Sequence, residues 1–333
     1  MIDQIITFLR EKPRKIVLTS HWNPDGDAIG SALGLAHYLH SQNFAVDVIF
    51  PNPPSLPLQG SVGYLSDFVH IFSLDSSKAK EIIKRADVLF SLDYNVASRV
   101  GDQMESIISG FSGSKIIIDH HESPDISFDL VFSMTSKSST CEMVYDLIEQ
   151  DGGNIDLACA DNLLTGLITD TGSFRFPITS GRTMHIAGKL IEAGAAPHVI
   201  HDRLFDNNPK SRLMIWGRAL SNLIITDDGF ASIVFIKQND LRELEYQPGD
   251  TEGLVNQGLG VTGVLISIFI REDSESNMKL SFRSKGNVDV NKYARKNWEG
   301  GGHKNASGGS SSMSITETID KFKSTFKEAF LND

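Results

Sequence analysis

Residues 15–50 read KIVLTSHWNPDGDAIGSALGLAHYLHSQNFAVDVIF. The apolar runs at 15–20 and 44–50 have the length and branched-chain content of buried strands. Between them, 27–41 places Ile29, Leu33, Ala36 and Leu39 on one face of a helix. Strand, helix and strand in this span make a parallel β-α-β unit. The Pro-rich PNPPSLP that follows is a loop. Further strands are expected at 88–93 and 116–120, with a helical stretch at 78–86, so residues 1–190 read as an α/β domain built on a doubly wound parallel sheet. Helices dominate from 139 to about 223, and residues 191–228, with a helix at 210–223, are expected to form a helical linker. Beyond it the pattern changes. Segments 230–237, 263–272 and 278–283 read as strands, 288–296 as a helix and 300–310 as a Gly-rich loop. Residues 229–333 are therefore expected to form a smaller α+β C-terminal domain.

The chain has 333 residues, enough for about two domains. Hydrophobic residues make up 40% and charged residues 22%, which excludes a wholly disordered or fibrous chain. The longest strongly apolar stretch, 261–270, is interrupted by Thr262, Gly263 and Ser267, whereas a membrane-spanning helix needs about 20 apolar residues. The opening MIDQIITFLREKPRK puts apolar residues before basic ones, the reverse of a secretory signal. Cys141 and Cys159 lie in apolar helical patterns with no C-x-x-C partner and are expected to be buried thiols of a reducing cytoplasm. There are 31 Lys and Arg against 42 Asp and Glu, a net charge of −11, which argues against a protein gripping long duplex nucleic acid. Residues 275–305 are the exception, with Lys279, Arg283, Lys285, Lys292, Arg295, Lys296 and Lys304 against Glu275, Asp289 and Glu299. An acidic body with one basic island suits a small anionic ligand or a bound cation.

Functional residues in doubly wound sheets gather beyond the carboxyl ends of the strands, and four polar clusters fall there. In the first, His21-Trp22-Asn23-Pro24-Asp25-Gly26-Asp27, Asp25 and Asp27 can face one point with His21 as a third donor; the plainer reading makes Asp27 an N-cap. The second is Asp93, closing VLFSLD. The third is Asp119-His120-His121, closing KIIIDHH, where adjacent ionisable groups after a buried strand are costly unless paired or bound to metal. Consecutive side chains diverge, so one His can ligate while its neighbour faces substrate. The fourth is Asp170, within LITDTGS. Together these offer His21, Asp25, Asp27, Asp93, His120 and Asp170, a mixed imidazole and carboxylate set without thiolate that favours Mn²⁺ or a similar ion. Six ligands suit two ions about 3.5–4 Å apart, the arrangement that activates water and clamps a phosphoryl group.

The strings HWNPDGDAIGS, LDYN, DHH and TDTGSFRF resemble, in order and spacing, the four motifs of the DHH phosphoesterase superfamily. The tail FRSKG…GGGHKNASGG resembles its DHH-associated C-terminal domain. The two-domain size is similar to the bacterial nanoRNase branch, which degrades very short single-stranded oligoribonucleotides and in many members dephosphorylates 3′-phosphoadenosine 5′-phosphate (pAp). The resemblance implies an active site in the interdomain cleft and two Mn²⁺ ions per chain, with Mg²⁺ or Co²⁺ as substitutes. His21 and Asp25 would hold one ion, Asp27, His120 and Asp170 the other, and Asp93 would bridge. His121 would be the general acid and Asp119 would orient its neighbours. Arg283, Ser284, Gly301, Gly302, His303 and Lys304, with Arg99, would bind substrate. The implied activity is exonucleolytic release of mononucleotides, and the resemblance allows a homodimer. Relatives sharing every motif act on cyclic di-AMP or its linear product pApA, which is the alternative. A family II pyrophosphatase lacks the GGGH tail, and a non-catalytic nucleotide-binding protein would not keep the whole ligand set. An exopolyphosphatase ranks low.

Overall fold

A computed structural model describes residues 1–11 and 15–330, and for Leu56 and His303 the backbone alone. The chain divides into two units, Met1–Asn207 and Asn208–Asp333. The first holds β1 (Lys15–Thr19), β2 (Ala45–Phe50), β3 (Val69–Ile71), β4 (Val88–Leu92), β5 (Ser114–Asp119) and β6 (Leu130–Ser133). They form one sheet of order β3-β2-β1-β4-β5-β6, parallel throughout. Both faces are covered. Ile16, Leu18, Phe90 and Ile118 join one core, while Val17, Ile49 and Leu89 join another on the opposite side. That explains why the strands read as continuous apolar runs rather than alternating ones. Strand order reverses between β1 and β4, which leaves a crevice at their carboxyl ends.

Helix α1 (Gly26–Ser41) follows β1 and is buried on every side from Gly26 to Ala36. It packs against α2 (Thr140–Gln150) and α3 (Leu157–Asp170). The single apolar face expected from its sequence understates this, because small residues fill the positions that meet α2 and α3. A Cβ on Gly166 of α3 would run into Cys141 Sγ and stand 2.9 Å from Asp27 Oδ1. The glycine thus brings three helices together at Asp27. Gly166→Ala is expected to lower stability by about 1–3 kcal/mol, as overpacking of a close-packed core does. Denaturant unfolding measures this, and an unchanged midpoint would mean that the helices separate at no cost. Cys141 and Cys159 are buried free thiols, as expected.

The second unit holds β7 (Ile224–Ile225), β8 (Ala231–Ile236), β9 (Ile266–Ser274), β10 (Asn277–Ser284), β11 (Gly301–His303) and β12 (Ala306–Ser311), in the order β11-β12-β10-β9-β8-β7. Only the β8–β9 pair is parallel. Two expectations change here. Helix α4 (Lys210–Ser221), read as a connector, belongs to this unit, because its Ile215 and Ala219 share a core with Val234, Ile236 and Leu254. The Gly-rich stretch 300–310 is not a loop but the hairpin β11–β12, turning at Lys304 and Asn305. Glycine here serves close strand approach. At Gly302, φ is +149° and a Cβ would stand 2.6 Å from Ala306 O. The helix expected at 288–296 is present as α5 (Val290–Asn297) and lies beside the hairpin. Among the described residues no helix is long and apolar enough to cross a membrane.

Candidate metal centre

The segments leaving β1, β4 and β5 and the end of α3 converge on one point. Asp25, not Asp27, caps α1: its Oδ1 accepts the N–H groups of Asp27 and Ala28, both at 3.1 Å. Its other oxygen lies 3.8 Å from His21 Nε2. Asp27 is thereby released for a different task. Fully buried, its carboxylate accepts the Thr140 N–H at 2.6 Å and the Cys141 N–H at 2.9 Å, at the amino end of α2, where the helix dipole favours negative charge.

Asp93, also buried, sits in the left-handed region with φ +63°, the kind of backbone strain that clusters at functional sites. Its Oδ2 is 3.4 Å from His21 Nε2 and its Oδ1 is 3.5 Å from His120 Nε2. The Thr140 hydroxyl donates to Oδ1 at 3.1 Å. His120 Nε2 also lies 3.2 Å from Asp170 and 3.8 Å from Asp27. Each imidazole is held from behind. His21 Nδ1 faces the Trp22 carbonyl at 2.9 Å and His120 Nδ1 the Lys137 carbonyl at 3.3 Å. A carbonyl only accepts, so Nδ1 carries the hydrogen and Nε2 turns inward, as in imidazoles that bind metals.

Donor atoms of His21, Asp25 and Asp93 lie within 4.8 Å of one another, as do those of Asp27, His120 and Asp170, and those of Asp93, His120 and His121. Among the described residues no Lys or Arg pairs with these carboxylates. Burial, then the charge of Asp27, pushes Asp93 well above the usual carboxylate range and Asp170 up to about 7. Burial alone would depress His21 and His120. Their carboxylate neighbours outweigh it and raise both to about 11. Buried carboxylates need a positive partner, which a divalent cation would supply. The mixed oxygen and nitrogen donors fit a divalent ion of borderline hardness.

Asp119 is fully buried and faces His121 with both oxygens. Oδ1 accepts the Nδ1–H at 2.7 Å and Oδ2 the backbone N–H at 3.1 Å. The ring is fixed with Nε2 pointing away from Asp119.

Three further residues escaped the sequence reading. Thr140 ties Asp93 and Asp27 to α2. Lys137 holds His120 through its carbonyl while its ammonium bonds Glu142 at 3.1 Å and Asp146 at 2.5 Å. His201 meets Ser173 Oγ at 3.0 Å just beyond Asp170. Only Thr140 had a visible signal: Ser139 and Glu142 form the spacing that starts a helix, and the Ser139 hydroxyl accepts the Glu142 N–H.

The basic island is more committed than expected. Arg283 is half-buried on β10, with Nη1 donating to Phe282 O at 2.9 Å, and burial holds its pKa below the usual range. Ser284, expected at the substrate, donates to Val288 O at 2.6 Å and accepts from Asn305 at 2.9 Å, so it braces the turn after β10. Gly302, expected at the substrate, donates its N–H to Asn291 Oδ1 at 2.9 Å. Gly301 pairs with Gly308 across the hairpin. Lys304 is exposed, with Nζ 3.3 Å from Asn287. The His303 side chain lies outside the described residues. Arg99, half-buried in the turn Ala97–Val100, makes no side-chain ion pair among the described residues.

The model of the DHH family, N-terminal domain, matches residues 15–167, and that of the DHHA1 domain matches residues 230–332. The bifunctional oligoribonuclease and PAP phosphatase NrnA of Bacillus subtilis (strain 168) is 31% identical over 299 residues, which cover 89% of this chain and 88% of that protein. The Thermus thermophilus protein of the same name is 31% identical over 294 residues, 88% of this chain and 83% of that protein. Among solved structures, an exopolyphosphatase-related protein from Bacteroides fragilis matches with a TM-score of 0.94 at 34% identity, over 100% of this chain and 97% of that one.

Proposed function

Because the chain belongs to the DHH family and carries a DHHA1 domain, we propose that it is a divalent-metal-dependent phosphoesterase that hydrolyses short oligoribonucleotides to mononucleotides and dephosphorylates pAp to AMP. The observation that carries this reading is Asp93, whose two oxygens face two separate donor groups. His21 and Asp25 would hold one Mn²⁺ and Asp27, His120 and Asp170 a second, with Asp93 shared and with Mg²⁺ or Co²⁺ as substitutes. Bound there, the ions supply Lewis acidity and an activated water.

The chain's own groups do the rest. Asp119 keeps His121 in one orientation and stabilises its protonated ring. His121 Nε2–H gives its proton to the ribose oxygen as the P–O bond breaks, and solvent restores it. Asp27, braced by the end of α2, and Asp93, braced by Thr140, keep their places without reorganising during the reaction.

Arg283, with Lys304, supplies cationic contacts to substrate phosphate. Arg283→Ala is expected to weaken pAp binding by about 1–3 kcal/mol, the worth of a charge-assisted bond, while metal content stays at the wild-type level. Binding titrations check this, and an unchanged affinity would remove Arg283 from the substrate contacts. The reading as a whole is tested by incubating the protein and Mn²⁺ with a labelled RNA dimer-to-pentamer ladder, pAp, pApA, cyclic di-AMP and inorganic polyphosphate. The ladder should collapse to mononucleotides and pAp should yield AMP. Turnover confined to cyclic di-AMP or to polyphosphate would overturn the proposal.

A further inference from the structure

Of the three tryptophans, Trp298 is 1% exposed and Trp216 half-buried, but Trp22 shows 47% of its surface to solvent. An indole is usually well buried, and this one follows His21 directly. Its surroundings are built to hold it. The Trp22 N–H donates to Arg99 O at 2.7 Å, and its carbonyl accepts from His21 Nδ1. The next residue, Asn23, occupies the left-handed region with φ +54°. It is locked there by Asn52, which accepts the Asn23 N–H at 2.7 Å and donates back to its side chain at 3.1 Å. The indole lies against Gly101, where φ is +86° and a Cβ would stand 3.1 Å from the ring. A side chain at Gly101 would push the ring away. The turn therefore fixes the backbone that bears an exposed aromatic ring resting on Gly101, one residue from His21 and bonded to the segment that carries Arg99.

Resting on the function proposed above, we infer that Trp22 is a stacking platform for the nucleobase of the bound nucleotide. Every base has a π face, so such a platform grips short RNA whatever its sequence. The adenine of pAp would occupy the same surface.

The test compares pAp with ribose 3,5-bisphosphate, its base-free counterpart. Trp22→Ala should raise KM for pAp by about tenfold to a hundredfold, the range of a lost base–aromatic stack, with kcat nearly unchanged. KM for the base-free compound should not move, and Trp22→Phe should restore most of the pAp affinity. AMP should also quench indole fluorescence in the wild type and not in Trp22→Phe. Equal rises in KM on both compounds, or none on pAp, would overturn the inference and leave Trp22 a support for the His21 turn. If the wild type hydrolyses neither compound, the phosphoesterase reading fails instead. The AMP quench then decides the stacking by itself.

Discussion

Asp93→Ala is expected to yield a folded protein whose hydrolysis of an RNA dinucleotide falls by more than about a hundredfold. Partners that merely brace a metal ligand are typically worth about 10- to 100-fold, and Asp93 faces both imidazoles, at 3.4 Å and 3.5 Å. A second readout separates this from misfolding. Mn²⁺ should raise the unfolding temperature of the wild type, because a ligand that binds only the native state stabilises it by mass action. In Asp93→Ala that gain should shrink, while circular dichroism stays that of the wild type. Full activity in the variant would remove Asp93 from the centre. Lost secondary structure would reassign it to the fold.

His121→Ala should separate two kinds of substrate. A ribose hydroxyl is a poor leaving group and needs a proton, whereas nitrophenolate departs without one. General acid catalysis is worth about 10²–10⁴-fold. The variant should lose that much on an RNA dinucleotide and far less on a nitrophenyl phosphoester. Asp119→Asn should fall in between, since it keeps the ring near its place but weakens the 2.7 Å bond that stabilises the charged imidazole. Equal losses on both substrates, or a missing metal ion in His121→Ala, would make His121 a ligand or a support.

The parallel sheet was legible because β1, β4 and β5 are buried on both faces and so write themselves as unbroken apolar runs. The polar residues at their carboxyl ends were legible for the complementary reason, that charge directly after a buried run is costly. β3 and β6 were not. Val69–Ile71 and Leu130–Ser133 are short edge segments, mostly half-buried, with too few apolar residues to stand out. The hairpin of 301–311 was hidden because its Gly and Ser content matches that of a loop, while the pairing that makes it a strand lies across the chain. The same limit applies within the site. Thr140 and His201 act through partners 47 and 28 residues away, and no local pattern carries such a distance. In the basic island the resemblance implied substrate contacts, yet Ser284 and the Gly302 N–H are committed to the protein itself.

Two ions sharing Asp93, as proposed, would make hydrolysis depend on both. Stripping the protein of metal and titrating Mn²⁺ against the rate of RNA dinucleotide hydrolysis, with bound metal counted by elemental analysis, tests it most directly. Activity should stay near zero until the first equivalent has bound and reach its full value with the second. Full activity at one equivalent, or in excess chelator with no metal bound, would contradict the account.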